Sequence, residues 1–99
     1  MSDFRTKLTG SGTGQIVSKG PLEEVNNVKV ITLSISFARR RQDPKGGLII
    51  EEDCMSVKFW STGAEIINDT AQIGQYIFVE VEVRCKNKLE VKAQHFELL

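Results

Sequence analysis

The sole tryptophan of the chain, Trp60, ends the run Cys54-Met55-Ser56-Val57-Lys58-Phe59-Trp60. With a period of two, one face of this run carries Met55, Val57 and Phe59, and the other carries Ser56, Lys58 and Trp60. A broad π-surface beside an ammonium suits flat, charged ligands: the ring can stack a base while the lysine takes a phosphate. In a short all-β chain this points first to single-stranded nucleic acid, because every base offers a π-face. The competing reading is an indole packed on a neighbouring loop or at a subunit contact, and the period alone leaves both open.

Further cations could follow a phosphate backbone. Arg39, Arg40 and Arg41, followed by Lys45, form the densest positive cluster, and a guanidinium both forks onto phosphate and stacks. The same run could be a solvated charge cluster neutralised by Glu51, Glu52 and Asp53. Arg84, Lys86, Lys88 and Lys92 gather around a second turn, where another stretch of backbone would find positive charge. Phe78 falls on the polar phase of its segment and is expected to pack under a helix or at a subunit contact rather than to stack.

Several function classes are disfavoured. Thirteen basic and thirteen acidic side chains give a net charge of zero, unlike a tight non-specific binder of duplex DNA. No apolar run is long enough to span a bilayer and the N-terminus lacks a signal-peptide hydrophobic region, so a cytoplasmic protein is expected, nucleoid-associated if it binds DNA. Cys54 and Cys85 are expected as reduced, half-buried thiols, with pairing as the alternative. With one histidine and no C-x-x-C there is no zinc pattern, and His95 reads as a structural or surface residue. Glu80 and Glu82, two apart on one face, read as solvent-facing acids rather than a metal site. No Ser-His-Asp order, P-loop or metalloprotease pattern is present, so neither catalysis nor a cofactor is expected.

These residues need a scaffold. The chain is read as a single domain over residues 1–99, with residues 1–9 as an irregular arm or an irregular first strand and residues 10–14 as a flexible glycine-rich stretch. Residues 15–18 begin to look extended, and Gly20-Pro21 and Asn26-Asn27 interrupt the chain. Residues 28–39 alternate cleanly, with Ile31, Leu33, Ile35 and Phe37 toward a core. Asp43-Pro44-Lys45-Gly46-Gly47 reads as the tip of a long hairpin returning through residues 52–60. Ser61 or Thr62 is expected to cap a short helix through Ile67, with Ala71 as a last contact. Residues 76–86 alternate again, turning Ile77, Val79, Val81, Val83 and Cys85 one way. After a turn at Asn87-Lys88, residues 89–98 return with Leu89, Val91 and Ala93 inward. The order β-β-β-α-β-β predicts an all-β, five-stranded Greek-key OB-fold barrel with one short helix between strands 3 and 4. The helix position disfavours an SH3-like barrel.

At this level the sequence resembles the bacterial single-stranded DNA-binding (SSB) protein family, including its dimeric relative, primosomal replication protein N. The resemblance runs from about Gly14 to Leu98. It is carried, in order, by Gly14-Gln15-Ile16-Val17-Ser18-Lys19-Gly20-Pro21, Leu33-Ser34-Ile35-Ser36, the stretch from Val57 through Trp60-Ser61-Thr62-Gly63 to Ile66, the stretch from Gly74 to Val81, and His95-Phe96-Glu97-Leu98. It implies single-stranded DNA binding in replication, repair or replication restart, with replication or restart proteins as partners. It also implies a homodimer built by pairing first strands, with a tetramer as the alternative.

The resemblance places Trp60 where the family carries a stacking aromatic, and Arg39, Arg40 and Arg41 at the start of the hairpin that wraps the strand. Cys54 and Arg41 stand at or near positions where the family often has further stackers. The last hairpin is cut to Lys86-Asn87-Lys88, and the sequence stops at Leu99 without the family's acidic tail, a form expected to be closer to primosomal replication protein N or a minor SSB-like protein. The nucleic-acid-binding set expected from sequence is therefore Trp60, Lys58, Arg39, Arg40, Arg41, Lys45, Arg84, Lys86 and Lys88. Two alternatives stand beside it: a protein-interaction module of a primosome-type assembly with weak DNA affinity, and an RNA-binding OB domain.

Overall fold

The computed structural model describes residues 8–85 and 87–99. Along the chain run β1 (Leu8–Lys19), β2 (Glu23–Val25), β3 (Val28–Gln42), β4 (Leu48–Trp60), α1 (Thr62–Thr70), β5 (Tyr76–Cys85) and β6 (Leu89–Leu98). Five of the strands form a ring in the order β1-β5-β6-β4-β3, and pairing of β1 with β3 closes it. The seam between β6 and β4 is the slightest, a parallel contact with Lys58 opposite Lys92. The ring is the five-stranded barrel expected. The added strand is β2, a three-residue flap on the free side of β3, so the helix falls between β4 and β5. Asn26 and Asn27 both have positive φ (51° and 65°), the geometry of a two-residue hairpin turn, and this pairs Val25 with Val28.

The glycine-rich stretch is not a flexible linker. Leu8, Thr9 and residues 10–15 are strand, paired in register with β5 from Leu8↔Val83 to Gln15↔Tyr76. The rest of the expected arm, residues 1–7, lies outside the described residues. Glycine is required where β1 passes from β5 to β3. A Cβ on Gly14 would come within 2.6 Å of both Ile35 Cγ2 and the Ser36 carbonyl oxygen. From Gln15 to Lys19 β1 runs beside β3, with a register shift between Ile16 and Ser18. A second shift follows Glu80 in β5; such bulges bend strands sharply enough to close a small barrel.

The barrel interior follows the period-two reading. Ile16, Ile31, Leu33, Ile35, Val57, Phe59, Ile77, Val79 and Val91 are buried in one cluster. Phe59 meets Phe96 edge-on at 5.3 Å between ring centroids. Helix α1 packs on β3 and β4 and contributes Ala64 and Ile67 to the core, with Ala71 buried just beyond it. Ser61 stands at the N-cap, but its side chain makes no capping bond; its backbone carbonyl accepts from the Glu65 N–H. At the other helix end, Lys19 Nζ donates to the carbonyls of Asn68 and Ala71 (2.9 and 2.8 Å), placing a cation at the negative end of the helix dipole.

Three expectations fail with depth along the barrel. Leu89 and Cys85 lie on the core phase, yet they pair with each other at the end of the β5–β6 hairpin, past the packed interior, and both are exposed. Met55, near the rim of the barrel, is 41% exposed for the same reason. Cys54 is also exposed and both thiols are free, so neither is half-buried. Phe78 is half-buried on the outer face of β5 opposite Thr13, whereas α1 packs on β3 and β4; it does not lie under the helix.

Candidate nucleic-acid interface

The outer wall of β3 and β4 is set by residues out of phase with the core. Register pairs Val30 with Trp60, Thr32 with Lys58, Ser34 with Ser56 and Ser36 with Cys54. The middle of this wall carries only small side chains, so its ends determine its chemistry. In OB-folds generally, the face of the second and third barrel strands, here β3 and β4, carries oligonucleotide ligands.

Trp60 is half-buried rather than fully open. Val30, directly opposite on the outer face, is only 6% exposed, as expected beneath a neighbouring bulky side chain. The indole Nε1 is buried without a hydrogen-bond partner among the described residues. Lys92 Nζ sits 5.7 Å from the ring centroid, within cation–π range. The chain turns sharply after the tryptophan: Ser61 has φ 58° and its N–H donates to the Lys29 carbonyl at 2.8 Å.

Lys58 and Lys92 are register neighbours yet diverge. Lys92 leans over the indole, while Lys58 Nζ reaches Glu90 Oε2 at 3.2 Å. Arg84 faces Glu90 across the β5–β6 ladder, with its Nε 3.8 Å from Glu82 Oε1. Lys58, Arg84 and Lys92 thus share the outer wall with Glu90, which Lys58 bonds directly. Sequence reading assigned Lys92 to the neighbouring turn and did not single out Glu90. The signal was present in the phase of β6, where Glu90 and Lys92 alternate with the inward Val91 and Ala93.

The arginine run is split by the hairpin. Arg39 Nη2 lies 3.1 Å from Glu51 Oε2 and its Nε lies 3.4 Å from Asp53 Oδ2, while Arg41 Nε bonds Glu51 Oε1. The guanidinium of Arg41, then that of Arg39, holds the Glu51 carboxyl below its ordinary 4.5, and slight desolvation opposes them. A lowered carboxylate pKa means that the pairing persists above 4.5 and is lost as pH falls through the depressed value. Arg40 points to the opposite side of the ribbon, opposite Ile50 in register, and has no ion pair among the described residues. It lies on the same phase as Thr32, Ser34 and Ser36, so it extends the Trp60 wall along the hairpin.

Lys45 lies at the tip, in a turn where Gly46 (φ 92°) donates to the Asp43 carbonyl at 2.8 Å and the Lys45 N–H donates to Asp43 Oδ1 at 3.1 Å. Twelve ladder steps separate the Val30–Trp60 pair from the Gln42–Leu48 pair at the base of this turn, which at about 3.3 Å per residue puts the tip roughly 40 Å away. Lys88 is exposed at the β5–β6 turn, and Lys86 lies outside the described residues. The fold therefore gathers Trp60, Lys58, Lys92 and Arg84 into one patch and extends it toward Arg40. Arg39 and Arg41 are turned to acids on the other side of the ribbon.

The ring of strands with its single helix is an OB-fold barrel. A deletion variant of the single-stranded DNA binding protein from Thermus aquaticus superposes with a TM-score of 0.80 at 17% identity, over 92% of this chain and 49% of that one. This chain thus spans about half the length of that protein. The SSB of Plasmodium falciparum, solved as a complex with ssDNA, gives a TM-score of 0.79 at 14% identity, over 100% of this chain and 97% of its own. The protein PriB from Ralstonia solanacearum gives 0.75 at 11% identity, over 92% of this chain and 97% of its own. No protein-family model and no curated protein matches the chain. At these identities the likeness establishes the fold.

Proposed function

We propose that this protein binds single-stranded DNA along the outer wall of β3 and β4, in replication, repair or replication restart. The observation that carries the reading is the half-buried indole of Trp60 beneath Lys92, with Lys58 and Arg84 further along the same outer wall, on the barrel face that OB-folds use for oligonucleotides. A base stacks on Trp60, displacing Lys92 from the ring, and the released ammonium meets the adjoining phosphate. The strand then passes the small side chains of Ser56, Ser34 and Ser36 toward Arg40. The likeness to proteins described as binding single-stranded DNA supports this reading.

The split arginine run gives the test. Arg40→Ala is expected to weaken binding of a thymidine oligomer and to flatten log affinity against log salt by about 0.7, the share of one single-strand phosphate. Arg39→Ala, which removes a cation already paired to Glu51 and Asp53, is expected to change both much less. Fluorescence polarisation of labelled DNA across a salt series measures this. Equal losses from the two variants would place the strand elsewhere on the hairpin, and a matched RNA oligomer bound more tightly would favour the RNA reading.

The second part of the proposal is a homodimer through β1. Residues 8–14 pair with β5 along one edge, while β3 takes up only Gln15 and the residues after it, leaving the other edge without a ladder partner among the described residues. An open edge invites a second strand. Half-buried Phe78, opposite Thr13, lies across β1 from that edge, on the paired strand β5. Light scattering should give twice the mass of the chain; a monomer at micromolar concentration would remove this part alone.

A further inference from the structure

We infer that Glu90 is a built-in competitor for the phosphate position of this face, so that the protein holds single strands weakly and releases them readily. The inference rests on the single-strand reading above. Glu90 projects from the outer phase of β6, with Lys58 bonded to it at 3.2 Å from β4 and Arg84 opposite it on β5. Lys92 lies two residues further along the same strand and face. A carboxylate bonded to Lys58, with Arg84 and Lys92 on the same face, occupies the place that a phosphate oxygen would take, and it accepts the same charge-assisted hydrogen bond. Glu90 and Lys58 are each about a third exposed, so solvent and strand have access to the pair without dismantling the core.

The arrangement has a cost and a consequence. A strand engaging Lys58 must first break its bond to Glu90 and then lie beside an unpaired negative charge. Both effects oppose binding, and the second persists for as long as the strand is bound. Part of the attraction expected from the cations is therefore cancelled inside the protein, as the zero net charge suggests on a larger scale. Glu51 relates to Arg39 and Arg41 in the same way on the hairpin, but on the side turned from Trp60.

Glu90→Gln keeps the shape and an acceptor while deleting the charge. In polarisation titrations with a thymidine oligomer it is expected to bind about two- to fivefold more tightly than the unaltered protein at low salt, the range of a half-exposed ion pair. Its salt dependence should steepen by about 0.7, one further phosphate neutralised. Asp69→Asn removes the same charge from an exposed position near the end of α1 and is expected to leave affinity unchanged. In a Lys58→Met background the gain from Glu90→Gln should shrink, since the cation it frees is gone. Binding by the unaltered protein with no gain in Glu90→Gln overturns the inference alone, as does an equal gain in Asp69→Asn. Failure of both the unaltered protein and Glu90→Gln to bind overturns the single-strand reading and the inference with it.

Discussion

Replacing Trp60 with alanine is expected to weaken binding of single-stranded DNA by roughly 5- to 150-fold, the equivalent of about 1–3 kcal/mol for one stacked base. The loss should exceed that from Lys58→Ala, because Lys58 already spends part of its charge on Glu90 and a surface phosphate contact contributes less than a stack. Trp60 is also the register partner of the buried Val30, so the variant is expected to lose some stability, and its melting temperature must be measured alongside its affinity. Trp60→Phe separates the two effects. It keeps a π-face with less area and should retain most of the affinity, whereas a purely structural role would track stability in both variants. Polarisation titrations at one fixed salt concentration are sufficient. Wild-type affinity in a folded Trp60→Ala protein would remove the indole from the site.

The second large effect concerns the scaffold. Gly14→Ala is expected to destabilise the protein by about 2–3 kcal/mol, because the new methyl group meets Ile35 and backbone at the point where β1 crosses onto β3. For a domain of this size that corresponds to roughly 10–20 °C in melting temperature. Gly10 offers the control within the same strand. A Cβ there comes no closer than 3.9 Å, to Val81 Cγ2, so Gly10→Ala should be neutral or slightly stabilising. Thermal unfolding followed by circular dichroism checks both. Similar melting temperatures for the two variants would mean that β1 does not close the ring as described.

That crossing also shows why the first strand was hard to read. Side-chain alternation reveals a strand only where there are side chains to alternate, and Gly10, Gly12 and Gly14 occupy the inward phase of β1. At Gly14 the smallness answers to a contact with β3, some twenty residues away in sequence, which no local pattern encodes. β2 was missed for a related reason: Glu23, Glu24 and Val25 are all exposed and carry no burial period. The adjacent Asn26-Asn27, both tolerant of positive φ, was the available cue. By contrast, residues 28–39 and 52–60 announced themselves because each has one face in a core.

The site was legible to a similar extent. Period two placed Trp60 and Lys58 on the outer wall, and it also separates Arg40 from Arg39 and Arg41, a consequence that treating the run as one cluster concealed. Which acids face those arginines depends on the register fixed by the five-residue turn between Gln42 and Leu48, a long-range fact. The meeting of Lys92 with Trp60 lies further from reach, since it depends on a parallel contact between β4 and β6 that forms only when the barrel closes. Leu89 and Cys85 carry the same lesson: phase along a strand tells which way a side chain points, not whether the barrel extends far enough to cover it.

The central claim is a stacking platform at Trp60, and the only tryptophan in the chain reports on it without a label. Titrating a thymidine oligomer into the protein at low salt should change the indole emission in a saturable way, and the midpoint should move to higher DNA concentration as salt is added. Emission that stays constant throughout the titration, under conditions where an independent assay shows the oligomer bound, would contradict it.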